Sequence, residues 1–269
     1  MKTWFVTGIS RGLGLALARA IVARGDALVG TVRGNAPELR GNVKLLDLDT
    51  GDAARIPAVV EQAFAHLGRI DVLVNNAGYG LLGALENASD AELERLFAVD
   101  LLGPIRIMRA ALPRLRAQRA GHIINITSIA GRAPGGASAA YAGAKGALEM
   151  ISAGLAQELA PFGIHVTAVA PGAFRTDFLA PTSIQKSTLA HYDATAVAAF
   201  DAMNGKQLGD PARAARAILE LADAPTPPLH VLFGSDALQR ARDKLRAVIA
   251  ELDAYEALTR STDFSAIAG

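Results

Sequence analysis

Short apolar runs separated by longer segments, most of them helical in pattern, constrain this chain more than any other feature. The runs are Trp4–Thr7, Ala27–Val32, Val43–Leu46, Val72–Val74, His122–Thr127, His165–Ala170 and Leu229–Phe233. They are largely apolar throughout rather than alternating, which suits strands covered on both faces. The first six lie far enough apart for a crossover between parallel neighbours. The expectation is an α/β fold: a single-domain, doubly wound (Rossmann-type) parallel sheet of about seven strands flanked by helices. At 269 residues and 51% hydrophobic, the chain can bury a large core, and one domain of this size is ordinary for such folds.

Helix signals punctuate the same pattern. Ser89-Asp90-Ala91-Glu92 reads as a capping box that opens a helix running to about Arg119. Gly103-Pro104 is expected to kink it, because proline removes a backbone donor and crowds the preceding turn. Asp210-Pro211 reads as an N-cap with proline at the first helical position. The stretch 179–209 has no clear period. It is expected to cover a binding cleft, with an ordinary surface loop as the plain alternative. Residues 235–269 are expected to extend the single domain, 1–269, as a C-terminal helical piece.

Composition removes several classes of function. Lys plus Arg is 27 and Asp plus Glu is 26, so no electrostatic footprint for nucleic acid or an anionic membrane is expected. The absence of cysteine removes disulfides, thiol nucleophiles, iron–sulfur clusters and Cys-ligated zinc. His66, His122, His165, His191 and His230 show no metal-ligand spacing, so no metal is expected. The longest stretch free of Asp, Glu, Lys and Arg, Leu159–Phe174, holds two Pro and two Gly and is too broken to span a bilayer. The opening MKTWFVTG enters a strand without a signal-peptide apolar region. A soluble, cytoplasmic protein with no membrane partner is expected.

The turn after the first run carries the strongest chemical signal. Thr7-Gly8-Ile9-Ser10-Arg11-Gly12-Leu13-Gly14 follows a strand and opens an amphipathic helix. Glycines there allow a tight turn and close backbone approach to a pyrophosphate, and the helix start offers free N–H groups. At the end of the second run, NAD binders place an acid for the ribose 2′-hydroxyl. This chain reads Gly30-Thr31-Val32-Arg33. A missing acid and an added arginine favour a 2′-phosphate, hence NADP(H) over NAD(H); Arg11 is expected on the same side. Solvated surface charge is the alternative for both arginines.

Tyr141-Ala142-Gly143-Ala144-Lys145 puts a phenol and an ammonium four residues apart, on one helix face. A nearby ammonium stabilises phenolate, so Tyr141 is expected to have a lowered pKa and to work as acid or base near neutrality. Ser128 lies just past a strand's C-terminal end, where parallel sheets carry site residues; a simple turn serine is the alternative. Tyr79, Phe174 and Phe178 are candidates for an apolar pocket or for core, and His191-Tyr192 for a lid contact or lid surface.

Together these residues resemble the short-chain dehydrogenase/reductase family. The resemblance rests on the Thr7–Gly14 turn, Asp47-Leu48 after the third run, Asn75-Asn76-Ala77-Gly78, Ser128 thirteen residues before Tyr141, Lys145, and Pro171-Gly172-Ala173-Phe174-Arg175-Thr176. It covers roughly residues 3 to 235. A closer similarity is to the branch like 17β-hydroxysteroid dehydrogenase type 1, through Thr31-Val32-Arg33, Asn76–Gly80, Gly83-Ala84, Leu112-Pro113, Gly234–Ala237 and Ser261–Phe264. That branch name does not imply a steroid.

The resemblance implies an oxidoreductase acting on a small carbonyl or secondary alcohol substrate. Ser128 would orient the carbonyl, Tyr141 would exchange the proton and Lys145 would lower the Tyr141 pKa. Cofactor contacts would come from Gly8, Ser10, Arg11, Gly12, Leu13, Gly14, Arg33, Asp47, Leu48, Asn75, Ala77, Gly78, Tyr141, Lys145, Pro171, Gly172, Phe174 and Thr176. The family also implies a homodimer or homotetramer built through its long fourth and fifth helices, and Ala-rich Ser138–Leu159 fits close helix packing. One departure stands out: Asp100 occupies the position where the family usually has an Asn that completes a proton relay. An active enzyme with a modified relay is expected. The competing reading is an NADP-binding regulator or scaffold with weakened catalysis. A methyltransferase would leave Tyr141 and Lys145 without a role.

Overall fold

A computed structural model describes residues 1–179, 184–186 and 202–264. A seven-stranded parallel sheet organises them, in the order β3-β2-β1-β4-β6-β7-β9. Its strands are β1 (Thr3–Val6), β2 (Ala27–Val32), β3 (Val43–Asp47), β4 (Val72–Asn75), β6 (Gly121–Ile126), β7 (Ile164–Pro171) and β9 (His230–Phe233). The expected runs match these within a residue or so at each end. The central strands are buried along almost their whole length, as uninterrupted apolar runs require.

Helices cover both faces. On one side α2 (Ile56–Leu67), α4 (Gly103–Gln118) and α5 (Ala139–Leu159) bury Val60, Phe64, Ile107, Leu115 and Leu148 against Phe5, Leu73 and Ile123. On the other, α1 (Gly12–Ala23) and α6 (Pro211–Asp223) bury Leu17, Ile21 and Ile218 against Trp4, Leu28 and Ile124. Each such side chain contributes about 1.5–3 kcal/mol when fully buried. Asp210 caps α6 by accepting from the Ala212 and Arg213 N–H groups, as its position before Pro211 predicts.

The chain winds outward from β1 in both directions, through β2 and β3 one way and β4, β6, β7 and β9 the other. A crevice therefore opens above the carboxyl ends of β1 and β4, where ligands bind in such sheets.

Two features differ from the sequence expectation. The helix expected from the capping box at Ser89 to Arg119 is three pieces: α3 (Asp90–Phe97), a π-helical turn (Ala98–Leu102) and α4. The capping box is present in full. The break falls one turn before Gly103-Pro104, because Pro104 cannot donate to the Asp100 carbonyl four residues back, and the wider π turn absorbs the mismatch. Gly103 also packs on β3's following loop, where a Cβ would lie 2.6 Å from the Thr50 carbonyl oxygen. Secondly, β5 (Gly80–Leu82) and β8 (Ile184–Lys186) form a separate parallel pair, so the stretch 179–209 contains a strand. Residues 180–183 and 187–201 of that expected cleft cover, His191 and Tyr192 included, lie outside the described residues.

Candidate active site

The glycine-rich turn is held from behind by β4's continuation. Thr7 Oγ1 accepts the Asn76 and Ala77 N–H groups at 3.0 and 3.1 Å. Asn76 Nδ2 donates to the Thr7 and Gly8 carbonyls, both at 2.9 Å. Gly8 and Gly12 have φ of 72° and 59°, conformations that favour glycine. A Cβ at Gly14 would run into the Gly8 carbonyl and the Asn76 amide. Arg11 precedes α1 without a side-chain cap, and the first turn carries no acid, so those N–H groups and the positive helix end face the crevice.

From this turn one cavity of about 850 Å³ continues to Tyr141 and Lys145. Gly8, Ser10, Arg11, Gly12, Leu13, Gly14, Arg33, Leu48, Ala77, Gly78, Ser128, Pro171, Gly172, Phe174 and Thr176 all line it, as their motifs lead one to expect. Two do not. Asp47 points outward at the end of β3 and pairs with Arg55 at 2.8 Å. Asn75 is buried in the sheet, where its amide donates to Asn125 Oδ1 at 2.8 Å. The strand alternates faces, so Asn75 turns inward and Asn76 takes the place at the turn. The Cβ-free cradle, the unacidic helix start and the cavity's length fit a dinucleotide with its pyrophosphate at the turn.

Arg33 sits on the rim at the end of β2 with its side chain 67% exposed and 3.9 Å from Asp49. Asp49 is already held by Arg95 at 2.6 Å and by the Gly51 N–H. Burial works against its charge, but these donors keep the carboxyl below the usual range. The carboxylate on this rim is thus held mainly by Arg95, and the Arg33 guanidinium, which lines the cavity, has only the longer 3.9 Å pairing with Asp49 among the described residues.

At the other end, α5 presents Tyr141 and Lys145 on one face. Tyr141 packs against Phe178, ring centroids 5.9 Å apart, and Lys145 Nζ lies 5.9 Å from the Tyr141 ring centroid. Lys145 Nζ also donates to the Ile126 carbonyl at 3.3 Å and pairs with Asp100 at 3.1 Å. The second Asp100 oxygen accepts the Tyr79 N–H at 3.1 Å. Asp100 is fully buried in the π turn and reaches the site through Lys145.

Electrostatics here differ from the sequence expectation for Tyr141. Burial pushes its phenol above the ordinary value; Lys145 pulls it down, Asp100 pushes it up, and a hydrogen bond with Ser128 favours the phenolate. Burial wins, and Asp100 cancels part of the lysine's effect. Burial likewise raises the Asp100 carboxyl, opposed by Lys145 and the Tyr79 N–H. Lys145 loses by burial but gains more from Asp100 and Tyr141, so its ammonium is held above the ordinary value. The result is a neutral phenol beside a persistent cation: an arrangement able to donate a proton. Ser128 reaches the Tyr141 phenol while accepting the Ala130 N–H at 3.1 Å, so it is a turn serine that also lines the cavity.

Three side chains to which the sequence motifs assign no role of their own support this geometry. Asn76 holds the turn. Asp236 accepts the Ala173 N–H at 2.8 Å and lines the cavity; its place just after Gly234, at a helix start, was the available signal. Glu149, one turn past Lys145 on α5 and buried, accepts from Thr127 Oγ1 at 2.8 Å and meets Arg132 and His230. It ties the segment around Ser128 to the helix that carries Tyr141. Among the described residues no group of three or more His, Asp or Glu is placed to hold a metal ion, and no helix is long and apolar enough to cross a membrane.

Comparison with known proteins places this geometry among relatives. A family model described as short chain dehydrogenase matches residues 2–187. The chain is 36% identical over 253 residues to Oxidoreductase BOA17 of Botryotinia fuckeliana, covering 89% of this chain and 91% of that protein. A short-chain dehydrogenase from Streptomyces avermitilis superposes with a TM-score of 0.89 at 40% identity, covering 98% of both chains. A 3-ketoacyl-(acyl-carrier-protein) reductase from Brucella melitensis, complexed with NADH, superposes with a TM-score of 0.74 at 26% identity, over 86% of this chain and 96% of that one.

Proposed function

We propose, given that this chain belongs to the short-chain dehydrogenase/reductase family, that it uses NADP(H) to interconvert a carbonyl and a secondary alcohol, with Tyr141 as acid and base. It is an oxidoreductase of that family; the cofactor preference and the residue roles are what we add. When bound, the nicotinamide supplies or accepts the hydride. Ser128 donates a hydrogen bond to the carbonyl oxygen. Tyr141, kept protonated by burial, gives its proton to that oxygen in reduction and takes it back in oxidation. Lys145 limits the cost of the phenolate left behind and holds the nicotinamide ribose. Asp100 keeps Lys145 charged and is a positioning residue. Arg33, with Arg11 nearby, takes the 2′-phosphate. The protein acts as a cytoplasmic homo-oligomer on a small molecule, with no nucleic-acid or membrane partner.

One observation carries this reading: Ser128, Tyr141 and Lys145 face the same cavity that begins at the glycine turn. It supports NADP(H) that Arg33 faces a rim whose carboxylate is already shared with Arg95. The likeness to a reductase complexed with NADH weighs the other way, so cofactor choice rests on Arg33. A second reading, an NADP-binding regulator, draws on Asp100, whose buried carboxylate offsets the Lys145 charge. Turnover separates them. With NADPH and a panel of apolar ketones, wild type is expected to consume cofactor, and Tyr141→Phe to keep under a few per cent of the rate while binding NADPH nearly as well. Substantial activity in the variant would sink the role given to Tyr141. Tight NADPH binding without turnover of any carbonyl or alcohol would favour the regulator.

A further inference from the structure

The helix α7 (Ser235–Ala254) is anchored at one end only. Ala237 and Ala241 are buried against Ile129 and Ala133, and the Arg240 guanidinium donates to the Ala133 carbonyl. At helical spacing, the face carrying these alanines continues through Leu245, Val248 and Leu252, with Ile249 beside it. Past Ala241, Val248 is half-buried, whereas Leu245, Ile249 and Leu252 are 63, 56 and 62% exposed. Tyr255 and Leu258, each 64% exposed, prolong the apolar surface into α8 (Glu256–Arg260). Single exposed leucines are ordinary, whereas an aligned stripe of them marks an interaction surface.

The charges along the helix say what covers it. From Leu238 to Arg246 the chain carries Arg240, Arg242, Lys244 and Arg246 against Asp243, a net of four minus one, or +3. From Ala247 to Arg260 it carries Glu251, Asp253 and Glu256 against Arg260, which pairs with Glu256 at 2.7 Å, a net of one minus three, or −2. One half of the helix, taken as a whole, is the electrostatic complement of the other. Two copies related by a two-fold axis across the helix run antiparallel, and each basic half then lies over the partner's acidic half. A parallel pairing would stack like on like. Apolar residues three and four apart supply the seam.

We propose that the exposed stripe of α7 is a homodimer interface, occupied by α7 of a second copy running antiparallel. It is distinct from the face of the fourth and fifth helices through which the family resemblance implies assembly, and it stands whether or not the oxidoreductase reading holds.

Sedimentation velocity of the full chain at low salt tests it. Leu245→Glu/Leu252→Glu, at exposed positions, is expected to halve the mass of the wild-type particle. Glu251→Lys/Asp253→Lys/Glu256→Lys makes the helix basic throughout, and Arg242→Glu/Lys244→Glu/Arg246→Glu makes it acidic. Each alone is expected to lose the same association step, and their mixture to regain it. A monomeric wild type, an unchanged mass in the leucine double variant, or a mixture that fails to reassociate would each overturn the assignment. So would a stripe whose mutation leaves mass unchanged but abolishes cosedimentation with phosphatidylserine vesicles, because its occupant would then be a lipid surface.

Discussion

Tyr141, Lys145 and Asp100 form a buried row in which each charge sets the next. Asp100→Asn removes the carboxylate and keeps a side chain able to occupy the turn. Tyr141 then loses a repulsive neighbour and Lys145 a favourable one, so both pKa values fall. Alcohol oxidation, which needs the phenolate, is expected to reach half its maximal rate at lower pH in the variant. A pH–rate profile superimposable on wild type would show that Asp100 does not reach Tyr141. Asp100→Ala leaves the lysine buried without its partner, which costs about 3–5 kcal/mol for such pairs. The dyad was legible in the sequence because four-residue spacing fixes a shared helix face. Its pKa balance was not, because burial and the Asp100 contact come from an element over forty residues away. The same limit explains Asn75 and Asn76: adjacency in sequence does not tell which faces the turn.

At the scale of elements, apolar runs mark the seven strands, since burial on both faces leaves the sequence apolar throughout. Pieces of three residues carry no period, so β5 and β8 were invisible. The π turn was read as a proline kink one turn too late, because the missing donor of Pro104 acts on a carbonyl four residues upstream. His122 on β6 shows how a strand position governs acid stability. Its Nε2 lies 2.8 Å from Thr167 Oγ1, and that hydroxyl donates to the Pro228 carbonyl, so the ring donates to Thr167. Burial, with His165 and Lys2 adding to it, pushes the imidazole from 6.5 down to about 3. The unfolded chain takes up a proton below pH 6.5 and the fold does not until about 3. Stability is therefore complete above 6.5 and falls as the pH drops towards 3, at up to about 1.4 kcal/mol per unit. Urea midpoints measured from pH 7 to 4.5 are expected to fall less steeply in His122→Asn. An equal slope would assign the acid sensitivity elsewhere.

For the whole molecule, the winding of the sheet places every motif of the site at one edge. The glycine turn follows β1, Ser128 follows β6, the Pro171–Thr176 segment follows β7, and α5 carries the dyad between them. That order was readable from the sequence; the proposed pairing of α7 with a second copy was not, since it concerns a face left largely uncovered by the described residues. A ligand that spans this edge binds the fold and not the unfolded chain. NADPH at a hundred times its Kd is expected to stabilise the protein by about 2.7 kcal/mol, seen as a rise of several degrees in Tm. No rise would mean the crevice does not hold it. The central claim is that this crevice takes a 2′-phosphorylated dinucleotide on Arg33. Calorimetric titration of wild type and Arg33→Ala with NADPH and NADH tests it most directly. NADPH is expected to bind wild type more tightly than NADH does and to lose at least tenfold in the variant, with NADH little changed. Equal or tighter NADH binding by wild type would contradict it.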